Sequence, residues 1–334
     1  MRLGRAAPIE TGPLVLADLE PPEPGPDELL VRVEVCGVCR TDLHVVEGDL
    51  PARRASVTPG HQAVGRVERL GPGVMAPGVG ARVGVAWLHR ACGACRFCAR
   101  GDENLCLEPR FTGWDVDGGY AELVVAPAAF VYELPETLPA AQAAPLLCAG
   151  IIGYRAFRRS RAGPGARLGL FGFGASAHIT IQVARHAGCE VYVFSRGGPD
   201  DPRAALARQL GASWVGDSFA APPAPLDAAI LFAPAGGLVP AALERLDRGG
   251  TLAVAGIHLS DVPVLDYQRH LFQERTLTSV TANTRADGRA LLRLAAEVPI
   301  RTHVHSYPLA AANQALADLK HDRIRGAAVL ETGI

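Results

Sequence analysis

The chain has 334 residues, which is more than a single hydrophobic core usually supports, so two domains are expected. Hydrophobic residues make up 49% of the chain and charged residues 20%, which is typical of a globular protein and excludes a disordered one. The net charge of -1 gives no general attraction to nucleic acid or to an anionic membrane, so we expect a small-molecule partner or a second copy of the chain.

Residues 1–150 have the pattern of a β-rich domain. The N-terminal segment MRLGRAAPIETGP contains no apolar stretch of the kind that predicts a leader peptide. Short alternating runs at residues 29–35 and 64–70 predict strands, and the Pro/Gly-rich segments PPEPGPDE and GPGVMAPGVG predict turns between strands. We therefore expect a partly open β-barrel or a β-sandwich here.

From about residue 151 to residue 282 the pattern changes to alternating strands and helices. RLGLF predicts a strand, ASAHITIQVARHAG a helix, CEVYVF a strand and PRAALARQLGA a helix. DAAILF then predicts a strand, PAALERLDRGG a helix and TLAVAGI a further strand. This alternation is typical of a parallel, doubly wound α/β sheet.

The last fifty or so residues return to a mixed pattern. They predict a helix at about 287–297, a strand near 302–307, a helix at about 310–320 and a final strand, RGAAVLE. The longest apolar run, near AAPLLCAGIIGY, is too short to span a bilayer. We therefore expect a cytoplasmic protein with reduced thiols, whose clustered cysteines bind metal and form no disulfides.

The sequence GFGASA, which begins at Gly172, predicts a dinucleotide site. It follows a predicted strand and opens a predicted helix; Gly172 makes the tight turn, Gly174 lets the backbone approach a pyrophosphate, and the small Ala177 lets helix pack on strand. Ala175 and Ser176 lie at the helix N-terminus, whose free N–H groups bind phosphate. The alternative is a strand–helix turn that binds no ligand.

The end of the second strand of this unit bears on the choice between NAD and NADP. An NAD site usually has Asp or Glu at this position, whereas this chain has Ser195 and Arg196. A hydroxyl and a guanidinium suit the 2′-phosphate of NADP, so the sequence favours NADP. Asp200 and Asp201 follow closely and keep NAD open as the alternative.

Four of the eight cysteines lie within fifteen residues, in the segment CGACRFCARGDENLC. Cys92, Cys95, Cys98 and Cys106 have the spacing C-x2-C-x2-C-x7-C, which is sufficient for a closed tetrahedral zinc site with no open position. An iron–sulfur cluster is the rival interpretation, but the C-x2-C-x2-C-x3-C-P run is absent. The segment therefore predicts a structural zinc ion.

A second set of metal-ligand residues is dispersed along the chain. Cys39 lies in VCGVCRTDLH, His61 in TPGHQAVG and Cys148 in APLLCAGIIGY. Two cysteines and one histidine with an open fourth position are a known arrangement for catalytic zinc. Taken singly, each is more often inert, since a buried cysteine commonly acts as a small apolar side chain.

The order of these motifs resembles that of the zinc-dependent alcohol dehydrogenases of the medium-chain dehydrogenase/reductase family. CGVCRTDLH, PGHQ, the four-cysteine segment, GGYAEL, APLLCAG and GFGASA occur in the family's order, and the likeness covers essentially the whole chain. The resemblance implies a GroES-like catalytic domain formed by residues 1–150 and 283–334, with a structural-zinc lobe at about 91–107. It also implies an inserted Rossmann domain at residues 151–282, with the active site in the cleft between the domains.

The same resemblance assigns the metal ligands of the catalytic site. It implies Cys39, His61 and Cys148 as ligands of the catalytic zinc, and this zinc is the second of two per chain. Cys36 competes with Cys39, but the family's ligand directly precedes a basic residue and T-D. Asp42 resembles the carboxylate that accepts the N–H of the ligand histidine and fixes its tautomer.

Thr41 and His44 resemble the family's proton relay. Zinc lowers the pKa of a bound alcohol, and the hydroxyl proton that the alcohol loses would pass through Thr41 and the cofactor ribose to His44 near solvent. The alternative for His44 is an ordinary surface histidine. Arg40 and Arg325 resemble ligands of the cofactor pyrophosphate.

The chain departs from the family pattern at Ala177, where the fingerprint commonly has glycine, and at the residue after the histidine ligand, and the resemblance also has a consequence for substrate size. The family commonly has Glu after the histidine ligand, whereas this chain has Gln62, which removes a charge near the metal. Trp87 resembles the aromatic wall of ethanol-preferring enzymes, but Leu50 stands where they have a second tryptophan. The extra apolar volume favours medium-chain or aromatic alcohols, unless Trp114 or a partner subunit refills the space.

These features predict reversible hydride transfer between NAD(P) and a primary alcohol/aldehyde pair. The alternatives are an NADPH-dependent aldehyde reductase acting mainly toward the alcohol, and a non-catalytic zinc- and NADPH-binding protein that senses redox state. The run TLTSV at residues 276–280 is a candidate strand for edge-to-edge pairing, so we expect a homodimer or a homotetramer.

Overall fold

The fold is built on two large β-sheets, one in each of two units of the chain. The structure is a computed structural model that describes residues 1–333. The first unit comprises Met1–Ala149, Ala282–Glu297 and the described residues from Arg301 onward, and the second comprises Gly150–Thr281 and Val298–Ile300. The identification of these units as catalytic and cofactor domains stays a prediction.

The secondary structure follows the alternation of the sequence. The strands are β1 Arg2–Leu3, β2 Leu14–Val15, β3 Glu28–Val38, β4 Ala63–Leu70, β5 Arg82–Val85, β6 Leu88–Arg90, β7 Arg110–Phe111, β8 Leu123–Pro127, β9 Val131–Glu133, β10 Arg167–Phe171, β11 Glu190–Ser195, β12 Trp214–Asp217, β13 Leu226–Leu231, β14 Leu246–Val254, β15 Thr276–Ser279, β16 Val304–Pro308 and β17 Ala327–Glu331. The helices are α1 Arg40–Glu47, α2 Arg96–Ala99, α3 Ala140–Ala143, α4 Ala149–Ser160, α5 Ala175–His186, α6 Pro202–Gln209, α7 Leu238–Arg245, α8 Tyr267–His270, α9 Arg285–Glu297 and α10 Ala312–Lys320. Short 3-10 turns join several of them. Within residues 1–333, none of the helices combines the length and apolarity needed to cross a bilayer.

The sheet of the first unit has the strand order β16-β17-β3-β4-β5-β9, and β8 also pairs with β3. Only β16 and β17 run parallel; the other pairs are antiparallel. The central β3 is buried along most of its length, because its valines and leucines enter the core on both faces. It ends at Val38, immediately before Cys39, the residue that caps α1.

The sheet of the second unit is parallel throughout, with the order β12-β11-β10-β13-β14-β15. Numbered within the unit, this is the order 3-2-1-4-5-6 of a Rossmann fold, so the predicted fold class is confirmed. The central β10 leads directly into the glycine turn before α5. The carboxyl end of this strand is where such sheets bind ligands.

The expectation of a helix through the whole of PAALERLDRGG is wrong at its C-terminal end. α7 ends at Arg245, and Leu246 already belongs to β14, where it is 1% exposed and pairs with Leu226. Asp247, Gly249 and Gly250 are poor helix formers. Burial of Leu246 in the core of the sheet stabilises the strand over a longer helix.

Candidate metal and cofactor sites

The start of α1 places a thiol and a carboxylate side by side. Cys39 follows β3 directly and is the extended residue that caps α1, with φ −131° and ψ 156°. Its backbone N–H donates to Asp42 Oδ2 at 3.0 Å, which closes a capping box. The short sequence CRTD therefore fixes both side chains through the start of the helix.

Asp42 is 1% exposed and accepts hydrogen bonds from three further groups. His61 Nδ1 donates to Oδ1 at 2.8 Å, the Gly60 N–H donates to the same oxygen at 3.1 Å, and the Tyr120 hydroxyl donates to Oδ2 at 3.2 Å. Burial disfavours the charged form of His61, but the Asp42 carboxylate and Cys39 outweigh it and raise the pKa to about 10. The Nδ1–H contact leaves Nε2 as the ligand atom, where a metal takes the place of the proton.

The residues before and after His61 are buried with it. Gly60 has φ +100°, and a Cβ there would lie 2.7 Å from the Tyr120 backbone nitrogen, so only glycine fits. Gln62 is 2% exposed, and its Oε1 has no hydrogen-bond partner within residues 1–333. Its amide is neutral, so this buried position carries no charge.

The ligand atoms of Cys39, His61 and Cys148 lie within 4.8 Å of one another. His61 Nε2 is 3.2 Å from Cys148 Sγ, and the two Sγ atoms are 4.0 Å apart. Donors bound at 2.0–2.3 Å to a tetrahedral metal lie roughly 3.3 to 3.8 Å apart, so this donor set fits zinc with one position left over. The hydrogen bond between Cys148 and Cys39 lowers the pKa of Cys39 and raises that of Cys148, so the contact favours one thiolate beside one thiol. Cys36 is not in this group, and burial raises its pKa.

The two residues that resemble a proton relay both lie on α1. Thr41 is 6% exposed, and its Oγ1 is 3.7 Å from Cys39 Sγ. His44 lies one turn later, and its Nδ1 is 2.8 Å from Asp49 Oδ2. The His44 side chain is only 12% exposed, so it is more enclosed than an ordinary surface histidine.

The two arginines predicted to bind a pyrophosphate have different surroundings. Arg40 donates to Asp322 Oδ1 at 3.0 Å and to the Leu319 carbonyl at 3.4 Å. Arg325 is exposed, and its backbone N–H donates to His305 Nε2 at 3.3 Å. Arg40 would therefore exchange a carboxylate for a phosphate if it binds cofactor.

The four clustered cysteines also converge. The Sγ atoms of Cys92, Cys95, Cys98 and Cys106 lie within 4.8 Å of one another. Backbone N–H groups point at the sulfurs: Cys92 N–H donates to Cys106 Sγ at 3.2 Å, and Cys95 N–H to Cys92 Sγ at 3.3 Å. Such hydrogen bonds, that of Cys98 first, lower the pKa of Cys95 to about 6. Four thiolates complete a tetrahedral zinc shell, so the donor set fits a structural ion.

Next to this cluster, Glu103 binds the start of α9. Its carboxylate accepts from the backbone N–H of Arg285 at 2.6 Å and from the Arg285 side chain at 2.6 to 3.1 Å. The Arg285 guanidinium also lies over the Phe130 ring, 4.3 Å from its centroid. The cysteine lobe is thus fastened to α9 by a forked, largely buried ion pair.

The glycine turn of the second unit has the shape that a dinucleotide requires. Gly172 has φ +90°, and a Cβ there would lie 2.9 Å from the Ala233 backbone nitrogen. A Cβ at Gly174 would meet no atom within 4 Å, so the backbone is open to a close-lying phosphate. Ala177 is fully buried beneath the turn, and Ala175 begins the 12-residue α5.

The end of β11 presents an exposed arginine, and of the two carboxylates that follow it, Asp200 is exposed and Asp201 is buried. Ser195 is 2% exposed and donates to the Gly198 carbonyl at 3.4 Å, whereas Arg196 is exposed. Asp201 is buried and caps α6, and Arg203 donates to it at 2.8 Å through its backbone and at 2.9 Å through its side chain. Burial alone would raise the pKa of Asp201, but Arg203 lowers it below its usual value. The Asp201 carboxylate is therefore already used as the cap of α6.

An aromatic wall leads away from the candidate catalytic metal site. Trp87 meets His61 edge-on, with ring centroids 5.0 Å apart. Its indole stacks on Phe111 at 4.8 Å and on Trp114 at 5.9 Å. Leu50 is half-buried against the core of the same unit.

Comparison with known proteins gives the family. The family model "Alcohol dehydrogenase GroES-like domain" matches residues 25–136, and the model "Zinc-binding dehydrogenase" matches residues 177–297. The protein "Probable alcohol dehydrogenase AdhA" of Mycobacterium tuberculosis (strain CDC 1551 / Oshkosh) is 56% identical over 331 residues, which are 98% of this chain and 95% of that protein. The chain belongs to the zinc-dependent alcohol dehydrogenases of the medium-chain dehydrogenase/reductase family.

Solved structures of this family have the same fold. A cobalt- and zinc-bound thermostable alcohol dehydrogenase from Pyrobaculum aerophilum has a TM-score of 0.89 at 28% identity, covering 99% of this chain and 98% of that one. A cinnamyl alcohol dehydrogenase from Sorghum bicolor has a TM-score of 0.88 at 28% identity, covering 99% of this chain and 97% of that one. The recognised family and the fold class are thereby confirmed.

Sequence reasoning gave no role to several residues that support these sites. Tyr120 donates a hydrogen bond to Asp42 and lies within the motif GGYAEL. The sequence therefore marks the residue but does not indicate its partner. Phe111 and Glu103 carry no sequence signal of their own, because their contacts cross long stretches of chain.

Proposed function

We propose that this alcohol dehydrogenase transfers hydride reversibly between NAD(P) and a primary alcohol/aldehyde pair, with Cys39, His61 and Cys148 holding the catalytic zinc. The observation that carries the proposal is the convergence of these three donor atoms within 4.8 Å, with Asp42 bound to the far side of His61. Zinc held there would supply a Lewis acid, and the nicotinamide would accept hydride from the alcohol carbon.

The hydroxyl proton of the alcohol leaves through side chains of α1. Thr41 lies beside the donor set, at 3.7 Å from Cys39 Sγ, and is the first acceptor. His44 follows on the same helix face and passes the proton to solvent, with Asp49 at 2.8 Å orienting its ring. Asp42 positions His61, since its carboxylate accepts four hydrogen bonds, one of them from the His61 ring.

We infer further that NADP is the preferred cofactor and that Cys92, Cys95, Cys98 and Cys106 hold a second, structural zinc. Arg196 is the exposed cation at the end of β11, and the nearby Asp201 is occupied by Arg203 and α6. An exposed guanidinium suits a 2′-phosphate better than ribose hydroxyls, and NAD remains the alternative because Asp200 is exposed in the same loop.

For the substrate we propose a medium-chain or aromatic primary alcohol. The flat wall of Trp87, Phe111 and Trp114 begins beside His61 and offers stacking surface to a planar chain. Leu50 leaves apolar volume where a tryptophan would fill it. The cinnamyl alcohol dehydrogenase among the similar structures supports the same class.

Steady-state kinetics in both directions test the proposal. We expect zinc-dependent turnover with NADPH, with kcat/KM rising from ethanol to hexanol and to cinnamyl alcohol. A panel in which the aldehyde direction alone is efficient would favour the aldehyde reductase. A steady fall in kcat/KM from ethanol to hexanol would contradict the substrate proposal, and a complete lack of turnover would contradict the enzyme.

A further inference from the structure

A cavity of about 370 Å³ lies in the first unit, between the segment after β1 and the loop that precedes β4. Three of its lining residues are arginines, Arg5, Arg53 and Arg54, and none is acidic. We propose that this cavity is a second binding site, for a small organic anion that carries a carboxylate or a phosphate on an apolar body. This site goes beyond the proposed dehydrogenase function and does not depend on it.

The charges around the cavity do not balance. Arg53 pairs with Asp115 at 2.9 Å, and Arg54 pairs with Asp117 at 3.2 Å. Asp117 is shared with Arg2, which lies 2.7 Å from it. Four guanidinium groups, counting Arg5, thus face two carboxylates, which leaves an excess of two positive charges.

Arg5 is the clearest recognition group. It is exposed, and within residues 1–333 it has neither a hydrogen-bond partner nor an ion-pair partner. Arg53 and Arg54 use one terminal nitrogen each for their carboxylates, and their side chains are 44% and 38% exposed. Most of the N–H donors of these three guanidinium groups are therefore available to a planar oxyanion.

The floor of the cavity is apolar and fixed. Leu3, Val45 and Val57 line it and are at most 6% exposed. The Trp114 indole stacks with Trp87, and the Arg53 guanidinium lies 3.8 Å from its ring centroid. A ligand with an apolar body and an anionic end fits the apolar floor and the arginines around it. The volume of the cavity lies in the range of small-molecule pockets.

Isothermal titration calorimetry of the zinc-loaded enzyme tests the site, with benzoate, hexanoate and inorganic phosphate as probes at constant chloride. We expect saturable binding of at least one probe; tighter binding of benzoate and hexanoate than of phosphate identifies a carboxylate ligand, and the reverse order a phosphate. Arg5→Ala should weaken binding about tenfold, because a charged hydrogen-bond donor is lost. Arg248→Ala, which changes an exposed arginine of the second unit, should change it less than twofold.

A further variant separates this site from the metal site. Cys148→Ser should abolish turnover and leave anion binding unchanged, so failure of the dehydrogenase proposal and failure of the anion site give different results. Loss of anion binding in Cys148→Ser together with unchanged binding in Arg5→Ala would place the anion at the metal and overturn the proposal. Lack of saturable binding of all three probes would overturn it equally.

Discussion

Asp42 organises the proposed catalytic zinc site at the scale of single residues, since it accepts four hydrogen bonds and holds His61. In Asp42→Asn one oxygen becomes an NH2 group that faces N–H or O–H donors and can accept none of them. We expect the affinity for the catalytic zinc to fall by about 10- to 100-fold. Competition with a chelator, followed by zinc analysis, measures this.

Tyr120→Phe is the matched control for Asp42→Asn. It removes only one of the four hydrogen bonds, the one at 3.2 Å, and leaves the carboxylate in place. We expect a smaller loss of affinity than in Asp42→Asn. Equal zinc retention in the wild type and Asp42→Asn would show that the carboxylate does not position the ligand.

Arg196 carries the cofactor preference in our proposal. Removing a charged donor to a phosphate costs about 1.5 to 3 kcal/mol, so Arg196→Ala should lower kcat/KM for NADPH by tenfold or more and leave that for NADH nearly unchanged. Arg248→Ala is the control, because it removes an exposed arginine outside the glycine turn and the end of β11. A preference for NADH that Arg196→Ala leaves unaltered would contradict the NADP proposal.

The two metal sites differ in how far the sequence could predict them. Cys92, Cys95 and Cys98 lie within one short segment, so their spacing alone predicts a metal site. Cys148 lies 109 residues from Cys39 and 87 from His61 along the chain, so only family resemblance pointed to this set. Contacts such as that of Tyr120 with Asp42 depend on tertiary folding and leave no periodic signal.

At the scale of elements, the Glu103 carboxylate fastens the cysteine lobe to the first turn of α9. Its side chain is 11% exposed, and it binds both the backbone and the guanidinium of Arg285. Glu103→Ala should therefore lower the local free energy of opening at the start of α9 by about 1–3 kcal/mol. Hydrogen exchange of the amides at residues 285–290 measures it, and release of the lobe's zinc to a chelator should become faster.

Asp102→Ala is the control for Glu103→Ala, in the same lobe. Asp102 pairs with Arg100 at 2.5 Å, but the two side chains are 40% and 56% exposed, so water screens the pair. We expect a change below about 0.5 kcal/mol. Similar exchange rates in both variants would show that the buried pair does not hold α9.

The sequence predicted elements well where the hydrophobic pattern and the caps agree. β10, α5 and β11 lie where RLGLF, ASAHITIQVARHAG and CEVYVF placed them. The boundary between α7 and β14 was misplaced, because Leu246 fits either a helix face or a buried strand until the sheet is known. α1 was not assigned at all, since its cap is the cysteine Cys39 and not a typical capping residue.

At the scale of the whole molecule, we propose that β15 is an assembly surface. It is the edge strand of the parallel sheet, so one side of its backbone is unpaired within that sheet. Of the fourteen large hydrophobic residues that are exposed among residues 1–333, six lie between residues 257 and 277. Val264 is 97% exposed and Leu277 on β15 is 38% exposed. Exposed apolar side chains in this segment, together with an open strand edge, fit a second copy of the chain.

Charge on this segment should therefore change the oligomeric state. Leu277→Glu combined with Val264→Glu buries two carboxylates in the proposed interface, and we expect a homodimer or homotetramer to dissociate toward smaller species. Light scattering coupled to size-exclusion chromatography measures the mass. Val79→Glu is the control, because Val79 is 66% exposed but lies in the first unit, away from β15. A wild-type monomer, or an oligomer that persists in the double variant, would show that this edge does not mediate assembly.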